Sequence, residues 1–333
     1  MLKYSMNIMR SLLALLSAVT ALGLMDNTYA QSAQDYPNKT IRFVVPFAAG
    51  GASDVTARLI SQVMSQSIGQ SVIVENKVGA GGNIGTDFVA QSPPDGYTIL
   101  LAYTGPMAIN PALYQSLPFK PLEDFAAVTL VAEAPLLLGV NASIPVRNVE
   151  ELIQYIKDRP GQIFYGSSGT GGADHLAGDL FMKETGTKIT HVPYKGGVLA
   201  LRDLVAGNTQ MQFMTIPAAI PLIRDGRIRP LALLSSKRFE LFPDVPTIVE
   251  AGLKDVYVNN TYGVVVPAGT PVNVVNKLNF ELIKTVNNPE VISKFKDLGL
   301  IPLYNTPAEF TQFMKNEYER WAQIVKISGA RVD

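Results

Sequence analysis

The sequence predicts an α/β chain folded as two lobes, each a mainly parallel sheet flanked by helices, with two crossover strands as the hinge. Three observations predict it. A short apolar strand, a glycine-bearing loop and a helix follow one another repeatedly, first from Thr40 and again from Gln162. Such βαβ alternation implies parallel strands joined by right-handed crossovers. The helices after Pro271 carry apolar stripes with no partner unless the chain returns to the first lobe. The expected division is residues 31–136 plus 261–333 for the first lobe and 137–260 for the second.

The first strand is Thr40-Ile41-Arg42-Phe43-Val44-Val45, apolar and β-branched, as a buried strand should be. It runs into Pro46-Phe47-Ala48-Ala49-Gly50-Gly51-Ala52-Ser53-Asp54, after which Val55, Leu59, Ile60, Val63 and Met64 recur at helical spacing. Ser53 and Asp54 are candidate caps for that helix. Adjacent glycines leave main-chain N–H groups unobstructed at a helix start, a built-in anion site. No Lys-Ser/Thr follows, so this is not a Walker-type phosphate loop. Ser71–Glu75 is the next strand, followed by Gly79-Ala80-Gly81-Gly82-Asn83 and a helix from about Ile84 to Gln91. After the Pro93-Pro94-Asp95-Gly96 turn, Tyr97–Ala102 is a third strand, ending in Tyr103-Thr104-Gly105. All three loops leave carboxyl ends of strands, where open α/β sheets bind ligands.

Val128–Val131 and Leu136–Val140 are apolar runs expected as strands leading out of the first lobe. Asn148, with Glu151 three residues on, caps a helix. The second lobe repeats the design: Gln162–Gly166 into Ser167-Ser168-Gly169-Thr170-Gly171-Gly172 and a helix over Ala173–Thr185; Ile189–Val192 into Pro193-Tyr194-Lys195-Gly196-Gly197 and a helix over Val198–Ala206. Met211–Met214 and Pro230–Leu234 are two further strands, with Pro217 and Pro221 near a helix start between them. Val256–Val258 and Gly263–Pro267 carry the chain back, and Pro307–Ser328 is a terminal helix with Phe310, Phe313, Met314 and Trp321 facing inward.

Composition bounds the function. The 333 residues hold 28 Lys+Arg and 28 Asp+Glu, so no global field draws the chain to nucleic acid or an anionic membrane. Cysteine is absent, which excludes disulfides, thiolate metal sites and cysteine nucleophiles. The two histidines, His175 and His191, are too few to make a catalytic metal site by themselves. Lys3 and Arg10 precede an apolar run from Ser11 to Met25, shorter than the roughly 20 residues of a spanning helix. With Thr28-Tyr29-Ala30 as a cleavage site, residues 1–30 read as a signal peptide; an uncleaved anchor is the alternative. Without Lys3, Arg10 and Asp26 the 28 basic and 28 acidic residues become 26 and 27. Export argues against a cytosolic nucleotide enzyme.

Each candidate has a plain structural counterpart. One glycine loop is a tight turn; four at corresponding sheet ends favour anion binding. Asp54 is a helix cap rather than a ligand contact, since it would repel a bound carboxylate. Lys195 either pairs with an anion or is solvated. His191 reads as a hydrogen-bonded structural residue and His175 as local packing, while Tyr97, Tyr103 and Tyr194 line a cleft or complete a core. Gly166-Ser167-Ser168-Gly169-Thr170 nearly fits a nucleophile elbow, but its fifth position is Thr, and no histidine follows His191 late in the chain. Gly79–Gly85 misplaces the last glycine of a dinucleotide fingerprint and follows the second strand. A secreted α/β hydrolase and a sensor or accessory binding protein are therefore the alternatives to a transport binder.

In the motifs Val45-Pro46-Phe47-Ala48-Ala49-Gly50-Gly51 with Asp54, Val74-Glu75-Asn76-Lys77 with Gly79–Gly82, Pro94-Asp95-Gly96-Tyr97-Thr98, Ser167-Ser168-Gly169, His191–Gly196, Leu241–Thr247 and Pro267-Ala268-Gly269-Thr270-Pro271, the chain resembles the substrate-binding proteins of tripartite tricarboxylate transporters, the Bug family. The resemblance covers essentially all of the chain after the leader, and the order and spacing of the motifs make it specific. It implies a periplasmic Venus flytrap, no enzymatic activity and no cofactor. It also implies a monomer that captures a small organic mono- or dicarboxylate between its lobes and delivers it to membrane permease subunits. Carried over, the first-lobe ligand-binding positions are Phe47, Gly50, Gly51, Ser53, Asp54, Gly81 and Gly82, and those of the second are Ser167, Ser168, Gly169, Thr170, Tyr194 and Lys195. Selectivity is expected from loop shape between Thr104 and Thr215. The chain departs from the family where Tyr262-Gly263 replaces a common tryptophan before the glycine, and where Gly197 replaces a small hydroxyl residue or alanine.

Overall fold

A computed structural model describes residues 36–331 apart from 195, 236 and 237. The expected leader, 1–30, lies outside the described residues, and among them no helix is long and apolar enough to cross a membrane.

The first lobe opens with β1 (Ile41–Val45), α1 (Ala52–Ile68), β2 (Val72–Asn76), α2 (Asn83–Ala90) and β3 (Thr98–Tyr103). Strands β2, β1 and β3 are parallel neighbours, with Val44 opposite Glu75 and Phe43 opposite Ile99. A π-turn at Gly105–Ile109 leads into the four-residue helix α3 (Asn110–Leu113). Then comes β4, a single strand over Phe125–Asn141, not the two separate runs expected from sequence. Pro135 sits within it, and the strand changes partners there. Up to Pro135 it pairs antiparallel with β9 (Asn259–Pro267), and from Leu136 with β7 (Met211–Thr215) and β8 (Ile228–Leu233). One strand thus belongs to both lobes.

The second lobe holds α4 (Val149–Lys157), β5 (Phe164–Ser167), α5 (Ala173–Thr185), β6 (Thr190–Pro193), α6 (Gly197–Ala206) and α7 (Ile216–Arg224). Strands β7, β5 and β6 are again parallel. Strand β9 returns to the first lobe beside β3, followed by α8 (Val272–Val286), α9 (Pro289–Asp297), the short β10 (Ile301–Pro302) and α10 (Pro307–Ser328). Each lobe therefore has a parallel triplet, as expected, but its sheet is mixed. The crossing strands β4 and β9 enter against the triplets' direction and pair antiparallel.

Strand alternation sorts the cores onto the two faces of each sheet. Phe43 and Val45 face Ile60 and Met64 of α1 and Leu278 and Leu282 of α8, while Val44 and Leu100 face Val89, Phe310 and Met314. In β4, Leu136, Leu138 and Val140 join Tyr165, Leu176 and Phe213; Leu137 joins Leu201, Leu204 and Ile216. Helix α10 starts in a complete capping box between Thr306 and Glu309. Its Phe310 and Met314 fill the first lobe's core, and its Trp321, Ile324 and Val325 fill the second's.

Candidate functional site

The loop after β1 is held from within. Its helix α1 takes Gly51 as N-cap with no side-chain cap, so Ser53 and Asp54 lie in the first turn rather than at the cap position. Asp54 accepts from Gly50 N at 2.9 Å, Arg58 Nε at 2.8 Å and Asn76 Nδ2 at 2.9 Å, and Asn76 also donates to Phe47 O. These bonds, that from Arg58 foremost, lower the Asp54 carboxyl to about 2. A depressed folded value stabilises the protein above the unfolded value near 4, and that stability is lost as pH falls through the folded value. Asp54→Ala is expected to cost about 1–2 kcal/mol at neutral pH, discounted because solvent screens the half-exposed Arg58. The gap from the parent protein should close between pH 4 and about 2 in urea titrations.

From this loop only Phe47 reaches the interlobe space. Its ring meets Tyr103 edge-on at 5.1 Å, and Tyr103 stands 5.3 Å from Tyr262. Burial raises both phenols, which stay neutral. The loop after β2 passes under Phe47 at Gly82, whose φ is +97° and where a Cβ would stand 2.8 Å from Pro106 Cγ. Asn110 Nδ2 donates to Asn83 Oδ1 at 2.7 Å and to Gly81 O at 3.3 Å, pinning this loop to α3.

In the second lobe the Ser167–Gly172 loop is braced by buried polar groups. Asp174 accepts from both Ser168 N and Ser168 Oγ, the latter at 2.8 Å, and burial raises its carboxyl despite these bonds. Ser167 Oγ lies 2.6 Å from His191 Nε2, and Gly171 N donates to His175 Nδ1 at 3.1 Å. The two imidazoles stack with centroids 4.0 Å apart. Burial holds both low, His175 at about 4, so both are neutral at pH 7 and His175 remains an acceptor. Among the described residues no cluster suited to a metal ion is present.

Between the lobes lies a cavity of about 520 Å³. The starts of α5, α6 and α7 border it through Gly172, Gly197 and Thr215, and none has a side-chain cap. Of their first-turn N–H groups, His175 N of α5 is taken by Asp174 Oδ1 and Leu199 N of α6 by Gly196 O, and α7 has Pro217, which carries no N–H; the others lack intrahelical partners, and the macrodipoles oppose the Asp174 carboxylate in the same wall. Among the described residues no lysine or arginine lines the cavity.

Of the residues expected from sequence, Phe47, Gly81, Ser168, Gly169, Thr170 and Thr215 line the cavity. Gly50, Gly51, Ser53, Asp54, Gly82, Thr104, Ser167 and Tyr194 are not in its wall. They hold it instead: Thr104 Oγ1 accepts from Thr261 N on β9, and Tyr194 turns its hydroxyl to Asp203 at 2.6 Å. Lys195 lies outside the described residues. The sequence reading did not single out Asn110, Asp174, Gln212 or Asn260, which do line it. The available signal was a polar residue inside an apolar strand, as in Met211-Gln212-Phe213-Met214.

Residues 56–330 match the family described as the tripartite tricarboxylate transporter family receptor. Protein BugT of Bordetella pertussis is 37% identical over 302 residues, 90% of this chain and 93% of that protein. A structure of an R. palustris protein with adipate is 37% identical with a TM-score of 0.80, covering 90% of this chain and 100% of that one. MatC of Rhodopseudomonas palustris with bound malate is 31% identical with a TM-score of 0.74, covering 87% and 100%.

Proposed function

Because the chain belongs to the tripartite tricarboxylate transporter receptor family, we propose that its interlobe cavity captures a small organic carboxylate in the periplasm for transfer to membrane permease subunits. The observation that carries this reading is the convergence of three helix starts, none with a side chain bonded at its N-cap, on one glycine-lined interlobe cavity. Main-chain donors at such ends hold an anion without a counter-charge, each hydrogen bond to an ionised group contributing roughly 1.5–3 kcal/mol. The 520 Å³ volume is of the size that small-molecule pockets have. Closure of the lobes would exclude water, strengthen these bonds and present one surface to the permease. On this reading the protein acts as a monomer, and residues 1–30 are a leader removed on export.

A hydrolase is disfavoured by the same atoms. Ser168, the elbow position, gives its hydroxyl to Asp174, while His191 is spent on the fully buried Ser167. The test is thermal shift against a panel of three- to eight-carbon mono- and dicarboxylates. A ligand at 100 times its dissociation constant is expected to add about 2.7 kcal/mol of stability. A panel in which no member raises the melting temperature would sink carboxylate capture.

A further inference from the structure

We propose that His175 and Asp179 are positioning residues for the cavity-lining loop after β5: the Asp179 carboxylate sets the tautomer of the His175 ring, and the ring in that tautomer holds Gly171 N–H and with it the cavity wall. Its effect on affinity rests on carboxylate capture; its proton chemistry does not. Neither residue lines the cavity, whereas Ser168, Gly169, Thr170, Gly171 and Gly172 do. Gly171 N donates to His175 Nδ1 at 3.1 Å. An N–H can only donate, so Nδ1 carries no proton, and the proton of the neutral ring sits on Nε2. Nε2 faces Asp179 Oδ2 across 3.6 Å, one helical turn on. That oxygen is shut off from solvent and has no hydrogen-bond partner among the described residues. The distance is past a hydrogen bond but within reach of the carboxylate's field, which favours the tautomer that turns a proton towards it.

The groups around the ring hold it in place. His191 stacks on it, and the His175 main chain is engaged by Asp174 Oδ1 at its N and by the Tyr165 hydroxyl at its O, at 3.0 and 3.2 Å. The titratable groups facing His175 are thus Asp174 and Asp179 on its own helix, Tyr165 on β5 and His191 on β6. The loop's other N–H bonds differ in kind: Ser168 N goes to Asp174, Gly169 N to Ser167 Oγ and Gly172 N to Gly169 O. Of these four, the Gly171 bond alone needs an acceptor that exists in one tautomer of one protonation state. Burial keeps His175 neutral down to about 4 and raises Asp179 to about 6, so Asp179 takes up a proton first as pH falls. A protonated carboxyl offers Nε2 a donor. That favours the opposite tautomer and sets Nδ1–H against Gly171 N–H.

The test joins heteronuclear NMR of the histidine ring nitrogens to calorimetric titration with malate and with adipate, from about pH 7.5 to about pH 5. At the upper pH the His175 ring should show a bare Nδ1 and a protonated Nε2. In the parent protein the tautomer and the Gly171 amide signal should change together with a midpoint at about 6, and in Asp179→Asn that step should be absent. The affinity of the parent should fall on the order of 10-fold across the same range beyond the fall in Asp179→Asn. That variant meets the same acids, so the ligands' own titration cancels. His175→Leu should weaken binding by a similar factor at every pH. His175→Asn, whose side-chain oxygen can still accept from Gly171 N, should keep most of the affinity and lose the step. A proton on Nδ1 at the upper pH, or parallel pH profiles in the parent and Asp179→Asn, would overturn the inference and leave carboxylate capture standing. If neither acid binds, the ring and Gly171 signals still decide the inference, and the wider panel decides capture separately.

Discussion

Gly171→Val is expected to lower carboxylate affinity by about 100-fold or more while leaving the melting temperature of the unliganded protein within a few degrees of the parent. Gly171 has φ of +81°, a left-handed conformation that a β-branched residue adopts only under strain of roughly 1–2 kcal/mol. A Cβ there would stand 2.3 Å from Leu113 Cδ2, 3.2 Å from Cδ1 and 3.3 Å from Cγ, so the whole end of the leucine is in the way. Leu113 belongs to α3 and reaches the second lobe's core from the first-lobe side, whereas Gly171 lies in the second-lobe loop. The contact joins a first-lobe helix to a second-lobe loop, so a wedge there is expected to penalise a conformation in which the lobes meet more than one in which they part. Titration with the tightest ligand of the panel checks it, and adding Leu113→Ala should restore part of the affinity by making room. An affinity unchanged in Gly171→Val would mean that this seam is not part of the liganded state.

Gly263→Val should have the largest effect on folding, a loss of about 3 kcal/mol or more, seen as a drop in melting temperature of roughly 6–12 °C. Gly263 lies in β9 between Ala102 of β3 and Leu130 of β4, and the tip of the Phe310 ring of α10 points at it. A Cβ would come within 2.2 Å of Phe310 Cζ, 2.8 Å of Cε1 and 3.1 Å of Cε2. The ring is buried and rigid, so the strain passes into the sheet or lifts the helix. Gly263→Val combined with Phe310→Ala should be less destabilised than the sum of the two single changes, because losing the ring removes the clash and the valine fills part of the space the ring leaves. Simple additivity would place the cause elsewhere.

What was legible in the sequence was local. The helix Ala173–Thr185 has its expected limits because Gly172 and Gly186 bracket it, and Pro307–Ser328 has its own because Pro307 opens it and Gly329 ends it. The strand–loop–helix units were legible because apolar period and glycine position are written within about thirty residues. Strand β4 was not, because Pro135 and the polar Glu133 break the apolar run that an extended strand would show, and its partners lie far along the chain. Part of the candidate cavity's wall was legible as glycine loops, but which loop residues line it depends on tertiary contacts. Asp54 folds Gly50 back onto its own loop, and Thr104 is turned to β9, so both became supports. Gln212 and Asn260 were hidden for the opposite reason. Gln212 is a lone amide in β7 and Asn260 follows Asn259 at the start of β9, and only the fold brings the two strands to one space.

Two crossing strands define an axis, and rotation about an axis is cheap. Helix α10 alters that, because Phe310 is buried in one core and Trp321 in the other, with Arg320 also holding Tyr257 O at 3.0 Å. A helix anchored in both cores adds side-chain packing to the two backbone connections between the lobes. Any change in the angle between the lobes must therefore shift Phe310 within one core or Trp321 within the other.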